Sequence, residues 1–329
     1  MGIKIIGTGK YLPEKIVTNE DFSKIVDTDD EWITTRTGIK TRHVSTGDFT
    51  WQMGAKAARQ AVTDAGISGE EIDLVIVSTC TGDYLTPSTS CLIANDLHLK
   101  NPACFDINCA CAGFVSAVDM AEKYLSAGEY RTALVVSSEM LTKMVDYTDR
   151  STCVLFGDGA GACIIKRSEA LFASHIGSDP ASGCHIFARG IAPSNQFREV
   201  PFDPLSDGLP PTNGSGLHQD GQDVYKFATR AMPAAIREAC KKAGLSPEEL
   251  DWVFPHQANY RIIETAAKNL KLPMGKCFVN IETYGNISSA CIPVGLAEAK
   301  ADGRLSPGDR ICIVGFGGGL VYAAAVFEW

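Results

Sequence analysis

The chain has 329 residues, 45% of them hydrophobic, which is enough for one large domain or two ordinary domains with a substantial core. Its formal net charge of −9 excludes a general attraction to nucleic acid or to anionic membrane surfaces. No apolar run reaches the roughly 18 residues of a membrane-spanning helix, and twelve cysteines without a C-x-x-C pair exclude a zinc ribbon and a small disulfide scaffold.

The first predicted element is a strand at the N-terminus. The opening "MGIKIIGTGKYLP" has the character of a strand rather than of a secretion signal, and Ile6 stands where a myristoylation signal needs Ser or Thr. We therefore expect a cytoplasmic protein that partners neither membranes nor nucleic acid.

An internal repeat organises the chain. Residues 65–78 read "AGISGEEIDLVIVS" and residues 243–256 read "AGLSPEELDWVFPH", so that Ile72 and Leu250 correspond at a separation of 178 (250 − 72). Each copy is a helix end with its Gly, a Ser followed three residues later by Glu as a capping signal, and an apolar strand.

Two further echoes follow in the same order. "VLFGDGAGACII" resembles the later "VGFGGGLVYAAAV", and the helix around Ala121 aligns with the one around Ala297 at a separation of 176 (297 − 121). The echoes predict two copies of one alternating β/α unit, with halves at residues 1–172 and 173–329 and a loop-rich stretch at 177–221.

The segment "DINCACAGF" (106–114) holds the first candidate for chemistry. Residues 103–108 have the pattern of a strand, and a helical repeat that begins at Phe114 and ends at Gly128 follows, so Cys111 is predicted at a helix N-terminus. The orphan N–H groups and the macrodipole there predict a lowered pKa for the Cys111 thiol, as suits a nucleophile. Cys109 is predicted to be inert packing, and metal binding by the pair lacks further ligands.

His256 and Asn286 are the candidate partners of the thiol. His256 in "WVFPHQANYRII" lies between a strand and a helix, where we expect a neutral imidazole, although such a His is more often structural. Asn286 precedes another apolar helix and has an N-cap role as its alternative. At a separation of 176, Cys111 maps to position 287, so we expect Cys111 and Asn286 to face each other.

Two glycine runs have different predicted roles. "GDGAGA" (157–162) resembles a dinucleotide fingerprint but continues as a strand, so we reject that reading. The run from Gly317 to Gly319 is predicted to let backbone approach a ligand, where an N–H group binds an oxyanion.

Seven motifs appear in the order typical of one enzyme family: "GTGKYLP", "DEWITTRTGI", "CAGF", "FGDGAGA", "PHQAN", "YGN" and "FGGG". With them the chain resembles, over essentially its whole length, the β-ketoacyl-(acyl-carrier-protein) synthase III family of type II fatty acid synthesis. The resemblance implies the α/β thiolase fold, with duplicated βαβαβαββ halves in a five-layer αβαβα arrangement. It also implies a homodimer and no metal or organic cofactor, acyl-CoA being a substrate.

The resemblance implies an acyltransferase activity. Cys111 would take an acyl group from acyl-CoA, and malonyl-acyl carrier protein would then lose CO₂ and condense with it to give a 3-oxoacyl product. His256 and Asn286 would stabilise the enolate, and the backbone N–H groups of Cys111 and Gly318 would hold the other oxyanion.

Further residues carry over by position. The family pattern implies CoA contacts at Thr28, Trp32, Arg36, Arg150 and Asn259, with Trp32 and Arg150 on the two faces of the adenine, although ordinary packing is the alternative for Trp32. A further contact at Gln222 is in doubt, because many relatives have Asn there.

Substrate and partner determinants are expected at four more positions. Thr86 replaces a bulky aromatic of acetyl-selective relatives, so the acyl pocket is expected to accept longer or branched primers. Because carrier protein and this chain are both acidic, a basic docking patch is expected, with Lys226, Arg261 and Lys268 as candidates and a solvated helix face as the alternative.

Three competing functions stay open on the sequence alone. One is a starter-unit condensing or acyltransfer enzyme of secondary metabolism, because the substrate is not encoded in the catalytic residues. The second is a Cys/His/Asn hydrolase, whose His would have to form an ion pair with the thiolate. The third is a non-catalytic subunit, which the presence of Cys111 disfavours.

Overall fold

The computed structural model describes residues 2–191, 196–197, 208–209 and 216–329. The stretch predicted to be loop-rich, residues 177–221, therefore lies partly outside the described residues. Its described parts contain a 3₁₀ turn at Pro180–His185 and two short paired strands.

The elements of the first half carry the expected alternation of strands and helices. The strands are β1 (Gly2–Tyr11), β2 (Lys15–Thr18), β3 (Thr41–Val44), β4 (Leu74–Ser78), β5 (Ala103–Ile107), β6 (Thr132–Met140) and β7 (Asp158–Ser168). The helices are α1 (Asn19–Phe22), α2 (Asp30–Thr37), α3 (Thr50–Ala65), α4 (Thr89–Asp96) and α5 (Gly113–Ala127).

The second half repeats the alternation with fewer strands in its main sheet. Its described strands are β8 (Phe172–Ser178), β9 (Ile186–Ala188), β10 (Leu217–Gln219), β11 (Trp252–Pro255), β12 (Arg310–Gly317) and β13 (Val321–Glu328). Its described helices are α6 (Gly221–Lys242), α7 (Tyr260–Leu270), α8 (Ile281–Tyr284) and α9 (Cys291–Ala301).

The two main sheets have corresponding strand orders. The first runs β1-β7-β6-β4-β5, and the second runs β8-β13-β12-β11 when written in the same direction. In both, the last strands are parallel and the others antiparallel. The counterpart of β5 is reduced to a single parallel bridge between Val253 and Cys277, where the Phe278 N–H donates to the Val253 carbonyl at 2.9 Å.

Five layers result from the packing of helices on these sheets. Helices α3 and α4 cover the outer face of the first sheet, α6 and α7 cover the outer face of the second, and α5 and α9 lie between the sheets. The middle layer contributes fully buried side chains such as Phe114 and Leu296. The expected αβαβα arrangement of the thiolase fold is confirmed, while the division at residue 172 stays a prediction.

The repeated capping signal has the same geometry in both halves. Ser68 and Glu71 form a capping box in which the Ser68 N–H donates to the carboxylate at 3.1 Å, and Ser246 and Glu249 do so at 2.8 Å. Each box precedes the corresponding strand of its half, β4 or β11. The predicted duplication thus extends to local hydrogen bonding.

Two bulk expectations can be compared with the structure. All twelve cysteines are free, in agreement with the exclusion of a disulfide scaffold; five are buried, five are partly buried, and Cys91 and Cys184 are exposed. Among the described residues, no helix combines the length and apolar character needed to cross a bilayer.

Candidate active site

A cavity of about 300 Å³ lies where the two halves meet. Residues from both halves line it, among them Cys80, Cys111, His256, Asn286, Ser288 and Gly318. The structure therefore brings together the three side chains and the glycine that the sequence singled out from positions far apart in the chain.

The nucleophile candidate lies in a short turn that leads into a helix. A 3₁₀ turn at Ala110–Ala112 is followed directly by α5, which ends at Gly128 in the left-handed region (φ 90°), as predicted. Ala110 also has a positive φ of 45°, and its N–H donates to Asn108 Oδ1 at 3.2 Å. Cys111 is thereby held half-buried at the cavity wall.

The second half contains the same turn. Ser288, in a 3₁₀ turn that leads into α9, has a φ of 51°, and its N–H donates to Asn286 Oδ1 at 2.8 Å. Asn108 therefore corresponds to Asn286 at a separation of 178 (286 − 108). The expected equivalence of Cys111 with position 287 is wrong by two residues, because Cys111 corresponds to Ser289.

The expected lowering of the Cys111 pKa is also wrong. Burial, with a smaller contribution from the nearby Glu139 carboxylate, raises the pKa of the Cys111 thiol to about 12, although a hydrogen bond from Ser288 lowers it. Helix α5 begins only at Gly113, so Cys111 precedes its first turn. A neutral thiol is the resting form of this site.

His256 is neutral, as expected, but for a different reason. Burial lowers the pKa of this imidazole to about 3, against a weaker opposing contact with the Ser288 backbone. The helix terminus is not the cause, since α7 begins at Tyr260 with Asn259 as its N-cap. The backbone N–H of His256 donates to the Val314 carbonyl at 2.8 Å, and the ring Nδ1 has no hydrogen-bond partner among the described residues.

Asn286 is fixed by its backbone and by one end of its amide. Its N–H donates to the Leu155 carbonyl at 2.9 Å, and its carbonyl accepts from Gly157 N–H at 3.0 Å. Because Oδ1 accepts from the Ser288 N–H, Nδ2 remains as the donor end of the amide at the cavity. The alternative role as N-cap of α9 is wrong, since Ala290 occupies that position.

The glycines of "GFGGG" bring strand β12 against the nucleophile turn. A Cβ on Gly317 would lie 2.6 Å from Cys111 N, and one on Gly315 would lie 2.8 Å from the Cys111 carbonyl oxygen. Gly318, one residue further, lines the cavity. Close packing against the Cys111 turn therefore accounts for Gly315 and Gly317, with Gly317 as the closest contact, while the predicted approach of this backbone to a ligand stays a prediction.

The predicted CoA residues divide into two groups. Trp32, Arg36 and Asn259 line the cavity, and the Asn259 side chain both caps α7 and donates to the Arg36 carbonyl at 2.9 Å. Thr28 and Arg150 are not among the cavity residues. The Arg150 guanidinium lies 5.4 Å from the Trp32 ring centroid, less than the roughly 7 Å that a ring stacked between two planar groups needs.

The remaining predicted residues lie away from the cavity of this chain. Thr86 is exposed, in a loop where Leu85 is 85% exposed. Lys226 on α6 and both Arg261 and Lys268 on α7 are exposed, and Lys226 is paired with Asp223 at 3.0 Å. Gln222 is exposed in the first turn of α6.

The structure adds three polar residues to the site that sequence reasoning missed. Cys80 and Ser288 line the cavity, and Glu139 is fully buried behind it. The Glu139 carboxylate accepts from the Thr81 hydroxyl at 2.6 Å and from the Ser289 hydroxyl at 3.1 Å. A charged residue at the end of the apolar strand "TALVVSSEM" was the available signal.

One other cluster has potential ligand atoms. His185, Asp220 and Asp223 place such atoms within 4.8 Å of one another. These residues are partly buried, and Asp223 is already paired with Lys226 at 3.0 Å.

Comparison with known proteins identifies the family. The profile described as "3-Oxoacyl-[acyl-carrier-protein (ACP)] synthase III" matches residues 105–180, and the profile of its C-terminal part matches residues 240–329. The β-ketoacyl-[acyl-carrier-protein] synthase III of Clostridium acetobutylicum is 46% identical over 99% of this chain and 98% of its own length.

Solved structures agree with the sequence comparison. The crystal structure of 3-oxoacyl-[acyl-carrier-protein] synthase III from Aquifex aeolicus superimposes with a TM-score of 0.91 at 41% identity, covering 100% of both chains. The priming β-ketosynthase of the R1128 polyketide pathway matches with a TM-score of 0.89 at 34% identity, over 99% of this chain and 96% of that chain. The chain belongs to the 3-oxoacyl-[acyl-carrier-protein] synthase III family, the initiating condensing acyltransferases of fatty acid synthesis.

Proposed function

We propose that Cys111 takes an acyl group from acyl-CoA and passes it to the carbon nucleophile formed from malonyl-acyl carrier protein. The observation that carries this proposal is the convergence of a neutral thiol, a neutral imidazole and an oriented amide on one cavity. Polyketide starter-unit chemistry is less favoured, because the polyketide relative is 34% identical to this chain while the Clostridium acetobutylicum synthase III is 46% identical.

In the first half-reaction the Cys111 sulfur attacks the acyl-CoA carbonyl. The S–H proton is lost, the bond between the acyl group and the CoA sulfur breaks, and CoA leaves as a thiol after taking up a proton. The tetrahedral oxyanion would be held by the N–H groups of Cys111 and Gly318. The close packing of β12 on the Cys111 turn supports this assignment.

In the second half-reaction malonyl-acyl carrier protein loses CO₂. Negative charge then develops on its thioester oxygen, which needs hydrogen-bond donors that carry no acidic proton to exchange. His256 is a neutral imidazole, and Asn286 is oriented with Nδ2 as its donor end. The enolate carbon attacks the acyl-Cys111 carbonyl, and the Cys111 thiolate leaves to give 3-oxoacyl-acyl carrier protein.

These steps route no electron pair through a metal or an organic cofactor. Each developing charge is met by an N–H group or a side-chain donor of this chain. We therefore propose that acyl-CoA and malonyl-acyl carrier protein are the substrates and that the protein works without a resident cofactor.

The test uses radiolabelled acyl-CoA and malonyl-acyl carrier protein with wild type, Cys111→Ser and Cys109→Ser. We expect wild type and Cys109→Ser to carry label on Cys111 and to release CO₂, and Cys111→Ser to remain unlabelled. Wild-type protein that neither becomes acylated nor releases CO₂ would contradict the proposal. Label on Cys109 instead of Cys111 would reverse the assignment of the two cysteines.

CoA recognition requires a rearrangement at Trp32. We propose that Arg150 swings away from the indole so that adenine can enter between them, with Arg36 and Asn259 at the cavity and Thr28 nearby. The cation–π contacts of Arg36 at 4.8 Å and Arg150 at 5.4 Å support a stacking role for this indole. If Arg150 is held against the Trp32 ring, acyl-CoA should therefore bind more weakly, and calorimetry measures this affinity. The control is Arg150→Lys, whose side chain remains free to move away from the indole.

We propose a homodimer that covers the open edge of the first sheet. Strand β5 is the edge strand, all five of its residues are only half-buried, and the loop with Tyr84 (53% exposed) and Leu85 presents apolar surface. In such a dimer Thr86 would reach the acyl pocket of the partner. Light scattering tests the dimer, and comparable specificity constants for acetyl-, isobutyryl- and octanoyl-CoA would support the open pocket.

Carrier-protein docking is proposed on the exposed faces of α6 and α7. Among the described residues, Arg261 and Lys268 have no ion-pair partner, while Lys226 is held by Asp223, so the two α7 cations are the better candidates. Arg261→Glu should raise the half-saturation concentration for malonyl-acyl carrier protein and weaken its salt dependence. Unchanged kinetics with this charge reversal would remove the docking proposal.

A further inference from the structure

Ser288 contacts all three of the proposed catalytic residues. Its hydroxyl lies 3.3 Å from Cys111 Sγ with the geometry of a donor, and its N–H donates to Asn286 Oδ1. Its backbone also contacts the His256 imidazole. Ser288 is fully buried, so bulk water does not compete for the hydroxyl.

The equivalent turn of the first half shows that the backbone does not require this hydroxyl. Ala110 adopts nearly the same positive φ as Ser288, 45° against 51°, and its N–H is bonded to the equivalent Asn. Alanine therefore satisfies the turn. In the second half, however, the residue in this left-handed conformation is Ser288, and its hydroxyl points at the Cys111 sulfur.

We propose that Ser288 is a further catalytic residue, whose hydroxyl donates a hydrogen bond to the Cys111 sulfur and stabilises its thiolate. The inference rests on the proposed function of Cys111. The hydrogen bond from Ser288 stabilises the thiolate at two steps of the reaction. The first is the loss of the thiol proton for attack on acyl-CoA, and the second is the breaking of the acyl–sulfur bond, when the electron pair returns to sulfur. A thioester sulfur is a poor acceptor, so the bond favours the charged forms over the acyl-enzyme.

The other titratable groups that face Cys111 do not supply this stabilisation. Glu139 at the end of β6 is a carboxylate that opposes a second negative charge, and Cys80 after β4 lies close to the same sulfur. His256 is neutral. Apart from the backbone N–H of Cys111, which also favours a thiolate, these surroundings are unfavourable to one, so a side-chain donor at hydrogen-bond distance has a large relative effect.

The size of the effect follows from the strength of a hydrogen bond to a charged group. Losing it should raise the thiol pKa by about one to two units. Because a more basic thiolate is also a better nucleophile, with a Brønsted coefficient of about 0.4–0.5, the rate of alkylation below the pKa should fall by about 3–15-fold. Iodoacetamide serves as the probe, with modification of Cys111 followed by peptide mass spectrometry.

Ser288→Ala and Ser288→Gly are the test variants, and Ser289→Ala is the matched control. Ala is known to fit this backbone from Ala110, and Gly relieves the positive φ, so a shared effect of both variants comes from the missing hydroxyl. Ser289 is equally buried, but its hydroxyl bonds to Glu139 rather than to sulfur. We expect slower Cys111 alkylation in both Ser288 variants and no slowing in Ser289→Ala.

Two results would overturn the proposal: wild-type alkylation rates in both Ser288 variants, or an equal fall in Ser289→Ala. Thermal unfolding checks that each variant is folded at the assay temperature. Because iodoacetamide needs neither CoA nor carrier protein, this experiment can succeed even if the proposed substrates are wrong. Failure of the proposed function would appear instead as wild-type protein that acyl-CoA does not acylate.

Discussion

Replacing Gly317 by Ala tests whether close packing of β12 positions the nucleophile. The added Cβ would lie 2.6 Å from Cys111 N, 3.0 Å from the Ala110 Cβ and 3.2 Å from the Cys111 Cβ. Ordinary van der Waals contact begins at 3.4 Å, so the strand or the turn must move by 0.8 Å (3.4 − 2.6). The displaced atom is the backbone nitrogen that we propose as an oxyanion donor.

Such a displacement should affect the chemistry more than the fold. Overpacking of this kind typically destabilises by about 1–3 kcal/mol, which a protein of this size tolerates. A shift of about 1 Å in reacting groups can cost roughly 100-fold in rate. We therefore expect acylation of Cys111 by acyl-CoA to slow by about 100-fold in protein that remains folded.

The assay is rapid-quench measurement of Cys111 acylation, accompanied by urea unfolding. Gly275→Ala is the matched control, because a Cβ at Gly275 would meet nothing within 4 Å. The control should acylate at the wild-type rate. If folded Gly317→Ala also acylates at that rate, the contact with the turn does not position the nucleophile and the reasoning is refuted.

Three further predictions concern charge and stacking at the site. Because the folded-state pKa of His256 is about 3, against an ordinary 6.5, the unfolded chain takes up the proton first, and stability falls as the pH drops below 6.5. Between pH 6.5 and 5, the free energy of unfolding should fall by about 2 kcal/mol less in His256→Gln than in wild type, as measured by urea unfolding. If wild type and variant lose the same amount over this pH range, the assigned pKa is contradicted. Glu139→Gln should speed Cys111 alkylation, because it removes a negative charge near the sulfur; slower alkylation would argue against this charge effect. The same variant should be destabilised by about 1–3 kcal/mol, because the amide N–H₂ group would face the donors that bond to the carboxylate. Trp32→Ala should raise the half-saturation concentration for acyl-CoA by about 5–150-fold but not that for an acyl-N-acetylcysteamine, which lacks the nucleotide; equal effects on both would exclude stacking.

The fold was predictable because its determinants are local and repeated. The capping boxes at Ser68 and Ser246 and the glycine end of α5 at Gly128 each depend on residues within a few positions of one another. The loss of the β5 counterpart was not predictable in this way. The segment beside Val253 keeps one bridge to β11, and whether such a segment pairs as a strand depends on its tertiary neighbours.

The candidate site was predictable in its composition but not in its electrostatics. Cys111 and His256 each lie between a strand and a helix, Asn286 precedes an apolar helix, and the duplication brings the turns of Cys111 and Asn286 together. The thiol pKa depends on burial and on Glu139, which approaches from another strand, so a helix-terminus argument alone gave the wrong direction. Ser288 was missed because its significance depends on a contact with a residue 177 positions away.

The neutral state of both Cys111 and His256 bears on why such a site would condense rather than hydrolyse. A Cys/His hydrolase relies on an ion pair, in which the imidazole can later activate water against the acyl-enzyme. With the pKa of His256 at about 3, its imidazole is a poor base, so water at the cavity would lack activation. An acyl group on Cys111 would then persist until a carbon nucleophile arrives, and the same neutral imidazole would stabilise the enolate that supplies it. One burial effect thus supports condensation in two ways, and it disfavours the hydrolase reading on physical grounds independent of sequence similarity.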